Sequence, residues 1–74
     1  MGFWTRMLQY KEIINGRAVM VETKQACYYQ YLIFPTNEVS FEENDKIIRS
    51  GYNYTSALAA FHAGKKYAKL INTL

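Results

Sequence analysis

A chain of 74 residues, half of them hydrophobic and 16% aromatic, specifies one small folded domain and excludes a disordered segment. Its single cysteine, Cys27, excludes an intrachain disulfide, and a net charge of +3 falls short of the basic footprint of a dedicated nucleic-acid binder. The charge is uneven. Residues 1–45 carry four basic and six acidic side chains, whereas residues 46–74 carry five basic ones and no acid. Such asymmetry marks either a polyanion-binding end or an ordinary solvated face.

No run approaches the length of a membrane span, so no membrane partner is expected. Arg6 interrupts the early apolar stretch and no small-residue cleavage site follows, which argues against a signal peptide. With the lone cysteine, this gives a cytoplasmic expectation. Arg6 also occupies the position where a myristoylation motif needs a hydroxyl residue. Without a secretory signal, Asn53-Tyr54-Thr55 reads as a coincidental glycosylation sequon.

Residues 3–14 admit two readings. Phe3, Trp4, Met7, Leu8, Lys11 and Ile14 nearly follow helical spacing, with Asn15-Gly16 as a C-cap. Alternatively, a strand at Arg6–Ile14 reverses at Asn15-Gly16 through a type I′ hairpin turn. The β-rich run Arg17–Thr23 that follows favours the hairpin. In that run Arg17, Val19, Val21 and Thr23 share one face, and Ala18, Met20 and Glu22 the other.

Lys24-Gln25 supplies a polar break before a central strand at Ala26–Phe34. Cys27, Tyr29, Tyr31 and Ile33 form one of its faces; Ala26, Tyr28, Gln30, Leu32 and Phe34 form the other. Both faces are largely apolar, as in a strand covered on both sides. Pro35 cannot donate to a ladder and ends it. Thr36–Asp45 is polar, with a short strand expected at Val39–Phe41 and an acidic turn at Glu42, Glu43 and Asp45. Lys46–Ser50 reads as a short last strand.

Asn53–Leu74 reads as an amphipathic helix. Thr55 or Ser56 can cap it, and Ala57, Leu58, Ala59 and Ala60 are strong helix formers. At about 100° per residue, Ala57, Ala60, Phe61, Gly64, Tyr67, Ala68 and Ile71 fall together. Ala59, Ala63, Leu70 and Leu74 widen that face. His62, Lys65, Lys66, Lys69, Asn72 and Thr73 fill the opposite arc, with Leu58 a misfit. Gly64 in the apolar face suggests close approach of the helix backbone to a sheet.

The expected fold is therefore α+β: an antiparallel sheet of three to four strands closed by one C-terminal helix, in the order β-β-β-α. A helical N-terminal segment would make it α-β-β-β-α. One helix covers one sheet face. The second apolar face needs its own cover, either a second copy of the chain in a two-fold dimer or residues 3–14 folded across it.

Candidate chemistry is sparse. His62 has no partner placed near it by sequence, and catalysis by a lone histidine needs one. Cys27 in a central strand reads as a small apolar filler. The acidic turn lacks the ligand spacing of a calcium loop. No catalytic residue, metal site or cofactor is expected. The candidate polyanion-binding residues are Arg49, Lys65, Lys66 and Lys69, with Lys46 nearby and Tyr28 or Tyr29 as stacking groups. The candidate interface residues are Tyr28, Gln30, Leu32, Phe34, Leu70 and Leu74.

Gly51-Tyr52-Asn53-Tyr54-Thr55-Ser56-Ala57-Leu58 resembles the strand-to-helix junction of HicB-type antitoxins, which place a glycine six residues before an Ala-Leu pair after a three-stranded sheet. Thr55 and Ser56 stand where that family carries acidic residues. Gly64-Lys65-Lys66-Tyr67-Ala68-Lys69 resembles the basic helix start of double-stranded-RNA-binding domains, although here it falls within the helix. These likenesses bear on strand and helix order and do not assign an activity. The functional expectation is a soluble, non-catalytic interaction module that forms a homodimer or binds another protein. The alternative is a nucleic-acid-binding protein that uses a basic helix face.

Overall fold

The computed structural model describes residues 7–24, 27–39 and 46–71. They form four strands, β1 (Met7–Ile14), β2 (Arg17–Lys24), β3 (Tyr28–Phe34) and β4 (Ile48–Arg49), followed by one helix, α1 (Ala57–Ile71). The strands make one antiparallel sheet in the order β1-β2-β3-β4. Among the described residues α1 is the only α-helix, and Met7–Ile14 is a strand, so the α-β-β-β-α alternative fails there. The sheet before the helix has four strands, one more than the HicB likeness implies.

Asn15-Gly16 makes the turn between β1 and β2. Both residues have positive φ, 53° and 82°, the pair of left-handed positions that a type I′ turn requires. That backbone matches the right-handed twist of the flanking strands, which is why the hairpin prevails over helical spacing in residues 7–14. Between the pairs Gln9–Val21 and Glu12–Val19, β1 advances by one residue more than β2. Tyr10 takes up this bulge with φ of 61°, a conformation that costs an aromatic residue about 1–3 kcal/mol. The bulge turns Tyr10 toward the helix, where its ring stacks on Phe61 at 4.9 Å. It also interrupts an outer strand that would otherwise offer a flat edge for pairing. The opposite edge, β4, is short.

β2 and β3 pair in continuous register from Ala18–Phe34 to Lys24–Tyr28. The loop that joins them takes Cys27, which is exposed and lies outside β3. The expected strand at Ala26–Phe34 thus begins two residues late, because the chain has to reverse before Tyr28 can meet Lys24. Cys27 is not a core filler; Ala26 lies outside the described residues. The expected strand at Lys46–Ser50 contracts to Ile48–Arg49. Val39 lies outside any strand, and the rest of Val39–Phe41 falls outside the described residues.

Two apolar clusters sit on either side of the sheet. Beneath α1 are Ile14, Val19, Val21, Ile33, Ala60, Phe61 and Ala68. On the other face are Ala18, Met20, Leu32, Phe34 and Ile47, with Leu8 and Val39 packed against them. Both clusters are buried within a single chain. The second face therefore does not need a second copy to cover it. Full burial of side chains such as Val19 and Leu32 contributes about 1.5–3 kcal/mol each.

Ser56 caps α1: its hydroxyl accepts from the Ala59 N–H at 3.3 Å and its carbonyl accepts from the Ala60 N–H at 3.0 Å. The helix begins at Ala57 rather than Asn53, because Tyr54 is engaged in a bridge to Tyr29. Gly64 lies directly on the sheet: a Cβ there would meet Tyr31 Cβ at 2.8 Å and Val19 Cγ1 at 2.9 Å.

Candidate interaction surface

The four basic residues singled out by sequence do not converge. Lys65 reaches Glu12 of β1, with Nζ 3.2 Å from Oε1, and lies 4.7 Å over the Phe61 ring. Its charge is used within the fold. Arg49 stands opposite Leu32 in the ladder, so it belongs to the sheet face turned away from α1. Only Lys66 and Lys69 remain together, exposed on the outer side of the helix with His62. Tyr28 is exposed on the face opposite the helix; Tyr29 is half-buried on the helix face beside Tyr54.

The expected interface residues divide similarly. Leu32 and Phe34 are fully buried, and Gln30 is 4% exposed. Leu74 lies outside the described residues. Leu70 is the exception: it is 59% exposed, the largest value among the exposed large hydrophobic residues. Tyr67, three residues earlier on the same side of α1, is 40% exposed. With exposed Ala59 and half-buried Ala63 they make a shoulder at the side of the helix. The buried stripe of α1 is thus narrower than the apolar arc read from sequence. Its buried residues are Ala60, Phe61, Gly64 and Ala68.

Beside this shoulder lies a tyrosine cluster. Tyr31 is tilted against Tyr54 at 6.2 Å and against Tyr67 at 6.4 Å between ring centroids. Burial, then the neighbouring Tyr54 and Tyr67, push the Tyr31 phenol above its ordinary value. Tyr67 therefore joins the cluster to the exposed helix shoulder, and together they form a continuous amphipathic surface.

A second polar feature, not singled out by sequence, lies on the other sheet face. Glu22 and Gln30 are paired across β2 and β3 and are each 4% exposed. Gln30 Nε2 donates to Glu22 Oε1 at 2.7 Å, and the Tyr52 hydroxyl donates to the same oxygen at 2.8 Å. The Gly51 N–H donates to Gln30 Oε1 at 3.1 Å. Lys24 Nζ lies 5.4 Å from the Tyr52 ring centroid. This network fastens the segment before α1 to the sheet, and Gly51 supports its bend with φ of 84°. The sequence signal was available: Glu22 and Gln30 are polar residues at inward register positions on an otherwise apolar face. Polar groups placed there need each other.

Among the described residues, no buried side-chain nitrogen or oxygen lacks a hydrogen-bond partner, and no group of His, Cys, Asp and Glu has the arrangement of a metal site. No described helix is long and apolar enough to cross a membrane. Comparison with known protein families, with characterised proteins and with solved structures finds no match.

Proposed function

We propose that this chain is a small non-catalytic interaction module that self-associates through the outer shoulder of α1. The observation that carries the reading is the exposure of Leu70 and Tyr67 beside Ala59 and Ala63, on a helix whose inner stripe is already buried against the sheet. Exposed large apolar groups that adjoin one another mark interaction sites more often than scattered ones do. Small residues at Ala59 and Ala63 allow a second helix to approach closely, and a two-fold axis near Ala63 would set the same shoulder against itself. The exposed rim of Lys66 and Lys69 would then carry the polar boundary typical of an interface.

The second reading, binding of a nucleic acid, rests on Lys66 and Lys69, which are exposed together on the outer side of α1. The two readings respond oppositely to salt. Phosphate contacts weaken as salt rises. A shoulder-to-shoulder dimer carries like charges at its rim, so salt leaves it unchanged or tightens it. The test is light scattering of Ala63→Glu and Leu70→Glu against Lys66→Glu. The self-association reading expects the first two to abolish dimerisation and the third to spare it. Loss only in Lys66→Glu would overturn it.

A further inference from the structure

We infer that the cleft between the last turn of α1 and the Pro35 end of the sheet binds a small amphipathic carboxylate: one anionic head on a short aliphatic tail. The cleft holds about 240 Å³ and is lined by Arg17, Ile33, Pro35, Lys46, Ile48 and Ile71. Ile33 lies opposite Ile48 and Val19 in the ladder. Continuing the pairing of Ala18 with Phe34 by one step sets Arg17 beside Pro35. Lys46, two residues before Ile48 and outside β4, lines the same cleft. Arg17 and Lys46 therefore line one cleft, where both side chains can reach one headgroup.

Both cations belong to the helix face. Arg17 pairs with Ile14, which is buried beneath α1, while Ile47, between Lys46 and Ile48, is buried on the opposite face. Among the described residues, the side chains of Arg17 and Lys46 have no hydrogen-bond or ion-pair partner. The negative end of the α1 dipole lies nearby, but Lys69 already stands in that last turn. Two unpaired cations beside three isoleucines complement a ligand that is charged at one end and apolar at the other. Arg17 offers a planar fork suited to a carboxylate. The volume is below the ~300–1,000 Å³ of pockets for drug-sized ligands, which limits the tail to a short one.

The chemistry fits either a free fatty acid or the apolar C-terminal residue of a peptide, and the test separates them. The 15N-labelled protein is titrated with octanoate, and in parallel with a short peptide ending in a leucine carboxylate, while amide shifts are followed by NMR. The expected result is saturable shifts centred on Arg17, Ile33, Ile48 and Ile71. The tighter probe identifies the source. Arg17→Gln and Lys46→Gln should each weaken binding by about tenfold with unchanged spectral dispersion. Octan-1-ol and inorganic phosphate should each bind far more weakly than octanoate. Absence of saturable shifts with both probes would overturn the assignment. So would equal binding of octan-1-ol, or unchanged affinity in both folded variants.

Discussion

A Cβ atom on Gly64 would lie 2.8 Å from Cβ of Tyr31, closer than side-chain carbons approach in folded proteins. The helix therefore rests on β3 through a missing side chain. On an isolated helix, alanine in place of glycine would gain roughly 1 kcal/mol. Here Gly64→Ala should instead destabilise the domain by about 1–3 kcal/mol, because Tyr31 and Val19 have to move. Urea unfolding checks the sign, and a stabilised variant would show that the contact is soft.

The Glu22–Gln30–Tyr52 network is buried at its centre, so its members should be unequal. Glu22→Ala leaves Gln30 Nε2 without the oxygen it donates to and should lose about 2 kcal/mol. Tyr52→Phe removes one donor and should lose about 1 kcal/mol. Because both act on the same oxygen, the double variant should lose less than the two single losses combined. Strict additivity in chemical denaturation would contradict a shared network.

Much of this architecture was legible from residue type and spacing. Asn15-Gly16 between two β-rich runs specifies a turn with two left-handed residues, and the alternation in Arg17–Thr23 separates Val19 and Val21 beneath the helix from Ala18 and Met20 on the other face, although β2 runs one residue further, to Lys24. Gly64 signalled close helix packing because a mid-helix glycine needs a reason. Other features depend on pairings that a single sequence does not display. The bulge at Tyr10 exists only relative to β2. Lys65 meets Glu12, 53 residues earlier in the chain, and this removes it from the basic arc. Arg49 and the helix lysines look like one cluster in composition, yet a two-residue strand places Arg49 on the far side of the sheet. Of the two covers the sequence leaves open for the second face, a second copy or residues 3–14, neither anticipates Ile47 and Val39, which pack there from outside the strands, whereas Leu8 of β1 does contribute.

Tyr31 couples the aromatic cluster to pH. Burial raises its phenol above the ordinary value of 10.0, so the fold favours the neutral form. The associated stability is fully present below the unfolded value and is lost as pH rises through the higher folded value. Stability should therefore fall on the alkaline side, and Tyr31→Phe should flatten that fall while changing little at neutral pH. Absorbance titration at alkaline pH offers a direct check: Tyr31→Phe should delete a late-titrating tyrosine. Deletion of an early one would contradict the cause given.

Self-association through Leu70, Tyr67 and Ala63 is the central claim, and sedimentation equilibrium of the unmodified 8.7 kDa chain tests it most directly. Run across a wide concentration range at low and high salt, it should show a reversible dimer whose affinity holds or rises with salt. A single species of monomer mass at every concentration would contradict the account and leave the helix shoulder without a second copy to bury it.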